Sequence, residues 1–119
     1  MHSEPLTFNL RQIDSHDDLL RACAVRAEAY GHKVPSYRET MAHPDHVDAS
    51  PWTAIFLCED KVTGKAVGTM RIQSTTRGAT VLEIEKYVTP PPELQKQGRA
   101  EVTRLAAVRG ADPFVRLGL

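Results

Sequence analysis

The sequence has no excess of either charge. Its 119 residues include 15 lysines and arginines and 15 aspartates and glutamates, so the formal net charge is zero. Proteins that attract nucleic acids or anionic membranes through their overall charge carry a clear basic excess. The balance argues against a nucleic-acid partner.

Long hydrophobic runs and cysteines are also scarce. No apolar stretch approaches the roughly 18 residues that a membrane-spanning helix needs. The first residues, MHSEPLTFNL, lack the basic region and apolar core of a signal peptide. The two cysteines, Cys23 and Cys58, each lie in an apolar segment, which favours buried, reduced thiols over a disulfide framework. We therefore expect a cytoplasmic protein without a membrane span.

The length is enough for one modest domain, which we assign to residues 1–119. The sequence is 41% hydrophobic and 25% charged, as in ordinary globular proteins. Near the end, Asp112 suits a helix N-cap and Pro113 suits the first helical position, yet the sequence stops about two turns later. We therefore expect a domain that is truncated early in this helix and lacks part of its sheet.

The clearest helix is predicted from Ser15 to Tyr30. Ser15 suits the N-cap, Asp18 three residues later resembles a capping box, and Gly31 follows as a stop signal. Arg26 lies on the apolar stripe of this helix. An inward-facing arginine either needs an anion or extends its head group past the edge of the stripe.

Residues 32–51 are polar and interrupted by prolines. They predict a loop with a helical turn near Tyr37 to Met41, and long loops of this kind are often functional lids. The segment HPDHVD within this loop contains His43, Asp45, His46 and Asp48. Their spacing fits no strong zinc pattern, so a capping or substrate-facing loop is favoured over a metal site.

Four strands are predicted after the loop, at residues 52–59, 66–73, 79–88 and 99–108. The first reads as a buried central strand and forms a hairpin with the second. The prolines of TPPPELQKQG predict a loop before the last strand. Alternation places Glu101 and Thr103 on one face of that strand and Arg104 on the other, unless a bulge redirects one of them. The overall order predicts an α+β fold.

Three short motifs in this order resemble the GNAT-like N-acyltransferase superfamily, in its autoinducer-synthase branch. This branch includes acyl-homoserine-lactone synthases and long-chain N-acyl amino acid synthases. Its members carry an arginine four residues before an aromatic on the first helix, Gly-x-x-Arg on a hairpin arm and Glu-(Leu/Ile/Val)-(Ser/Thr)-Arg on the central strand. The matching residues here are Arg26 with Tyr30, Gly68 to Arg71, and Glu101 to Arg104.

The resemblance spans roughly residues 18 to 118 and implies a mixed, mostly antiparallel twisted sheet flanked by helices. Autoinducer synthases usually have an aromatic residue just after the first helix, where this sequence has His32 and Lys33. Their acidic cluster in the following loop is matched only loosely by Asp45 and Asp48. The proline loop and the RLAAVRG segment are more similar to the N-acyl amino acid synthases. An amino acid is therefore favoured over S-adenosylmethionine as the acceptor.

The resemblance also implies roles for particular residues. An amide-forming transferase must position an amine, remove its proton and stabilise an oxyanion. We expect Glu101 to orient or deprotonate the amine, and Arg26 and Arg71 to balance its charge or bind the acceptor carboxylate. The expected catalytic set is Arg26, Arg71, Glu101, Thr103 and Arg104. The alternative is a buried Glu–Arg network that only sets strand register.

The donor is expected to be an acyl-carrier-protein or acyl-CoA thioester, without a metal. In the resembling fold, an irregular central strand offers a backbone N–H to the thioester oxygen, and the following turn and helix N-terminus hold the phosphate or pantetheine end. The expected donor-binding residues are Leu105, Ala106, Val108, Arg109, Gly110 and Arg116.

The sequence thus favours transfer of a fatty acyl group to an amino acid. Three alternatives stay open: an acyl-homoserine-lactone synthase, an acetyltransferase that uses acetyl-CoA, and a non-catalytic binding domain or inactive fragment. Because a strand of the resembling fold is missing, we expect activity to require a longer parent chain or a homodimer.

Overall fold

The computed structural model describes residues 7–75 and 82–108. Four strands form one sheet in the order β1-β2-β3-β4, and every neighbouring pair is antiparallel. In chain order the elements are β1 (Phe8–Gln12), α1 (His16–Lys33), α2 (Tyr37–Met41), β2 (Thr53–Asp60), β3 (Ala66–Ser74), a 3-10 helix (Glu83–Lys86), α3 (Pro92–Gln95) and β4 (Ala100–Ala107). The α+β class and the antiparallel sheet flanked by helices are confirmed.

Helix α1 covers one face of the sheet. Its small apolar residues Ala22 and Val25 are buried and meet two core clusters. Ala22 packs with Ile55 and Leu57 of β2, and Val25 packs with Ala106 and Val108 at the end of β4. Burial of this apolar surface fixes the helix across the three longer strands.

The predicted start of α1 is confirmed, but its predicted end is wrong. Ser15 caps the helix, since its Oγ accepts a hydrogen bond from the backbone N–H of Asp18 at 3.1 Å. The helix continues through Gly31 to Lys33. Gly31 serves close packing rather than termination, because a Cβ at this position would lie 2.8 Å from Cβ of Arg38 on α2.

The sequence analysis was also wrong about two strands. The edge strand β1 was missed, because its short segment has an exposed, irregular burial pattern without the alternation that marks a half-buried strand. The predicted strand 79–88 is wrong in its described part, where a 3-10 helix forms at Glu83–Lys86. The Glu85 carboxylate accepts the backbone N–H of Leu82 at 3.1 Å, and this local bond competes with strand pairing. Residues 79–81 lie outside the described residues.

A network of ion pairs ties the start of α1 to the sheet edge. Arg11 of β1 donates to Asp18 at 2.7 Å and to Glu59 at 2.7 Å. Arg21 also bonds Glu59, at 2.7 Å. The network joins β1, α1 and β2, and so helps to fix the helix that carries Arg26. No helix within residues 7–75 and 82–108 is long and apolar enough to cross a membrane.

Candidate functional site

A β-bulge interrupts β4 beside the charged residues. Thr69 pairs with Ala106 and Arg71 pairs with Thr103, so β4 has one more residue than β3 between these pairs. Arg104 has a φ of 52°, a left-handed conformation that non-glycine residues adopt only when their surroundings impose it. The exception noted from the sequence therefore applies: the bulge turns Arg104 toward the side of the sheet on which Arg71 lies.

Two hydrogen bonds hold the bulge and the residues that follow it. The Tyr30 hydroxyl donates to the backbone oxygen of Leu105 at 3.1 Å. Three residues after Leu105, the backbone N–H of Val108 donates to the backbone oxygen of Val67 at 3.0 Å. Bulges are common next to active sites, where they redirect a side chain or end the pairing.

Arg71 lies at the centre of the charged cluster and is 1% exposed. Its Nη1 donates to Oδ1 and Oδ2 of Asp45 at 2.9 and 3.0 Å and to Oδ1 of Asp48 at 3.1 Å. Its Nε donates to the Thr103 hydroxyl at 2.9 Å. Arg104 completes the cluster, with its Nη2 at 3.6 Å from Oδ2 of Asp45. The structure thus brings together Arg71, Thr103 and Arg104.

Arg26 reaches the same cluster from α1. Its Nη1 lies 3.0 Å from Oδ2 of Asp48, and the side chains of the pair are 2% and 0% exposed. Within the described part of the chain, the buried Nε and Nη2 atoms of Arg26 have no hydrogen-bond partner. The anion expected for Arg26 is therefore supplied by the chain itself, and Asp48 bridges Arg26 and Arg71.

Hydrogen bonds between side chains and backbone within the loop position the carboxylates of Asp45 and Asp48. Oδ1 of Asp45 accepts the backbone N–H groups of Val47 and Asp48, each at 3.0 Å. Oδ2 of Asp48 accepts the N–H of Asp45 at 2.9 Å. The bonds to Asp45 form an Asx-type turn, and together the three bonds fix both carboxylates next to the arginines. Within residues 7–75 and 82–108, no group of three or more His, Cys, Asp or Glu residues is arranged to hold a metal ion.

Asp45 is the partly exposed member of the cluster, with 35% of its side chain accessible. Burial raises the pKa of its carboxyl, but the hydrogen bonds from Arg71 and from the N–H of Asp48, with the charges of Arg71 and Arg104, outweigh burial and lower the pKa below its ordinary value. Asp45 is therefore a stable anion at neutral pH.

A cleft of about 210 Å³ opens over the cluster. Loop, sheet and 3-10 helix contribute to its walls, which are formed by Asp45, His46, Val47, Ser50, Trp52, Arg71, Gln73, Lys86 and Arg104. The sequence indicated Arg71 and Arg104 as site residues but missed Gln73, Trp52 and Lys86. The alternation of β3 places Gln73 on the same face as Arg71 and was the available signal. No such signal marked Trp52 or Lys86.

Glu101 pairs with Gln73 in the sheet and so lies two residues from Thr103 on the face that carries Arg71. Its Oε2 accepts the backbone N–H of Ile84 at 2.9 Å. Glu101 thus helps to hold the 3-10 helix against the start of β4. Its expected role toward an acceptor amine remains a prediction.

The expected donor-binding residues fall into three groups. Leu105 is 39% exposed at the bulge, whereas Ala106 and Val108 are 5% and 8% exposed and pack against α1. Arg109, Gly110 and Arg116 lie outside the described residues, as does the helix expected after Asp112.

The fold is similar to that of FeeM, an N-acyl amino acid synthase from uncultured soil microbes. The two structures superpose with a TM-score of 0.67 at 16% sequence identity, over 94% of this chain and 60% of that chain. This chain thus spans about three fifths of that synthase's length. No protein-family model and no curated protein matches the sequence. The likeness confirms, at the level of the fold, the resemblance found in the motifs.

Proposed function

We propose that the chain is an N-acyltransferase that moves a fatty acyl group from an acyl-carrier-protein or acyl-CoA thioester to the amine of an amino acid. The likeness to FeeM supports this function through the fold. The observation that carries the proposal is local. A bulged strand, a buried Arg–Asp cluster and a cleft lie together, and the three sequence motifs contribute to that one place.

The bulge suits the stabilisation of an oxyanion. An extra residue leaves backbone groups of the bulged strand outside the ladder. We assign to the N–H groups of the bulge residues Arg104 and Leu105 the role of donating to the thioester oxygen as it becomes negative. The bonds from Tyr30 and Val108 hold the bulge in advance, so little reorganisation is needed during the reaction. Donor atoms fixed in this way contribute more than mobile ones.

The amine must lose a proton as the C–N bond forms and the C–S bond breaks. We assign this proton to Glu101, directly or through a water molecule. The departing thiolate takes up a proton to leave as a thiol. Thr103 orients Arg71 through its hydroxyl, and Arg71 and Arg104 supply positive charge near the developing oxyanion. Arg26 acts from further away by holding Asp48. We place the reaction in the cytoplasm, where both kinds of thioester donor are made.

The proposal is tested by mass spectrometry of organic extracts from bacteria that express the chain. A double variant, Glu101→Ala with Arg104→Ala, serves as the inactive form. The matched control is Glu28→Ala with Lys33→Ala, which removes one exposed acid and one exposed base from α1. New N-acyl amino acids are expected from the parent and the control and not from the inactive form.

Purified protein then identifies the donor, with acyl-carrier-protein and acyl-CoA thioesters of several chain lengths offered in parallel. If the extracts contain acyl-homoserine lactones instead, the function is lactone synthesis from S-adenosylmethionine and not acyl transfer to an amino acid. Absence of acylated product with either donor, from the folded chain as monomer and homodimer and from a longer parent chain that contains it, contradicts the proposal.

A further inference from the structure

Gln73 lines the cleft and has a buried side-chain oxygen that is not hydrogen-bonded within the described part of the chain. Its side chain is 5% exposed and lines the wall next to Arg71. Within the described part of the chain, its Oε1 has no hydrogen-bond partner. A buried carboxamide oxygen without a donor lowers stability, and such groups in folded proteins call for an explanation. One explanation is a ligand that brings a hydrogen-bond donor into the cleft.

The charges around Gln73 favour an anionic ligand. Within the described part of the chain, the ion pairs of the cluster join three arginines, Arg26, Arg71 and Arg104, to two carboxylates, Asp45 and Asp48. These five groups carry one excess positive charge. Asp45 and Asp48 bind Arg71 at about 3 Å, whereas Arg104 is 3.6 Å from Asp45 and 28% exposed. Arg104 is thus the guanidinium best placed to bind an incoming carboxylate.

Lys86 adds a third cationic side chain to the wall of the cleft, beside Arg71 and Arg104. The 3-10 helix that carries it is fixed by Glu85, which accepts from Nε of Arg99 at 2.6 Å and from the N–H of Leu82 at 3.1 Å. The pKa of Glu85 is lowered first by the hydrogen bond from Arg99 and then by that from Leu82. Glu85 therefore stays ionised, and Lys86 is held beside the cleft at neutral pH.

The size and remaining walls of the cleft set the rest of the ligand. Its volume of about 210 Å³ equals about seven water molecules at ~30 Å³ each, which suits a small molecule and not a peptide. Val47 and Trp52 add apolar surface. The complementary ligand has a carboxylate, a hydrogen-bond donor and a compact apolar group.

We propose that this cleft is the acceptor subsite and that Gln73 determines its preference for an amino acid. Arg104 and Lys86 bind the α-carboxylate, Oε1 of Gln73 accepts a hydrogen bond from the α-amino group, and Trp52 contacts the side chain. This inference rests on the acyl transfer proposed above, but it concerns binding that is measurable without a donor.

The test compares the parent with Gln73→Leu, which keeps a side chain of similar size and removes the carboxamide. Gln12→Leu makes the same change at an exposed position of β1 and is the control. NMR titration with the twenty common amino acids identifies the best ligand. Its affinity is then compared with those of two analogues, one without the amino group and one without the carboxylate; for leucine these are 4-methylpentanoate and 3-methylbutylamine.

The parent is expected to bind the amino acid at least tenfold more tightly than either analogue. In Gln73→Leu, the advantage over the analogue without the amino group is expected to fall about tenfold or more, as for loss of a hydrogen bond to a charged group. Thermal stability is expected to stay equal or to rise, because the variant removes an unsatisfied buried oxygen. Gln12→Leu is expected to retain the parent's preference.

Three results would overturn the inference: no binding of any amino acid by the parent, an unchanged preference in Gln73→Leu, or a lower melting temperature with unchanged binding. The last result would assign Gln73 a structural role. The binding result is independent of catalysis. If Gln73→Leu transfers acyl groups with an unchanged KM for the acceptor, the subsite proposal fails and the proposed function stands. If the parent binds amino acids selectively but transfers no acyl group, the proposed function fails and the subsite proposal stands.

Discussion

Arg26 and Asp48 form an ion pair whose side chains are 2% and 0% exposed, with 3.0 Å between Nη1 and Oδ2. Asp48 also binds Arg71, at 3.1 Å. One carboxylate of the loop therefore joins the helix to the sheet. Two arginines buried beside the core depend on this group, since removing one partner of a buried pair leaves an uncompensated charge.

Asp48→Asn is expected to lower the free energy of unfolding by about 3–5 kcal/mol, the cost of leaving buried charge uncompensated. Equilibrium urea denaturation at pH 7 measures the change. The control Glu28→Gln neutralises an exposed acid on α1 and is expected to stay within about 0.5 kcal/mol of the parent. The double variant with Arg26→Met is expected to lose less than the sum of its single changes. Additive losses, or a loss in Asp48→Asn no larger than in the control, would contradict a shared buried network.

Acid stability should depend on the ion pairs at the start of α1. The hydrogen bond from Arg11, its charge, and weaker hydrogen bonds from Arg21 and Ser15 together lower the pKa of Asp18 to about 2 against the opposing effect of burial. The pKa of Glu59 is also lowered, first by its hydrogen bond from Arg11. In the unfolded chain these groups titrate near roughly 3.9 and 4.3.

Because both folded-state pKa values are depressed, the unfolded state binds more protons in this range. The stabilisation is fully present above about pH 5 and is lost as the pH falls toward about 2. We expect the free energy of unfolding to decrease over this window, and less steeply in Arg11→Gln. Lys61→Gln, which removes an exposed cation from a turn, is expected to keep the slope of the parent. High salt should reduce the difference, because Arg11 is 39% exposed. Equal slopes in parent and Arg11→Gln would refute this assignment.

The two cysteines are buried and free, as the sequence predicted. Burial, followed by the charge of Glu59, raises the pKa of Cys58 to about 11. Burial is also the main cause of the raised pKa of Cys23, where the charge of Arg26 opposes it. At pH 8 a thiol with a pKa of about 11, as for Cys58, is ionised in about one molecule in a thousand. Both thiols are expected to react with a disulfide reagent more than about a hundredfold more slowly in the native protein than in guanidinium. A thiol that reacts rapidly in the native state would show that its segment opens.

Local pattern was sufficient for the elements that position the site. The apolar stripe of α1 indicated that Arg26 either binds an anion or extends past the edge of the stripe, and the alternation of β3 placed Arg71 on one face with Thr69 and Gln73. The identity of the anion was not predictable, since Asp48 is 22 residues from Arg26. Their contact depends on how the loop folds across the sheet.

The bulge was named only as an exception to alternation, because nothing local to Arg104 requires a φ of 52°. The strained residue is imposed by contacts with distant parts of the chain, among them Tyr30, which is 75 residues away from Leu105. The same holds for β1, whose place depends on pairing with β2 and on the ion pairs of Arg11. Sequence reasoning thus indicated Arg26, Arg71 and Arg104, which the fold brings into one cluster, and missed the bulge geometry that redirects Arg104.

Tyr30→Phe tests whether the bulge matters to catalysis. The change removes only the hydroxyl that donates to Leu105, while the ring still packs against the cluster of Val25, Ala106 and Val108. Loss of one such bond is expected to cost about 0.5–1.5 kcal/mol of stability. Backbone amides at residues 104–107 are expected to exchange faster with solvent, whereas those of β1 and β2 are unchanged.

If the bulge orients the oxyanion donors, kcat falls in Tyr30→Phe and the KM for the acceptor does not change, since the bond matters only as charge develops on the thioester oxygen. Tyr37→Phe, at a tyrosine that is 46% exposed on α2, is the control and is expected to match the parent. Faster amide exchange at the bulge with an unchanged kcat would mean that Tyr30 stabilises the strand without serving the reaction. Because exchange and turnover report separately on the same bond, the experiment distinguishes a structural bulge from a catalytic one.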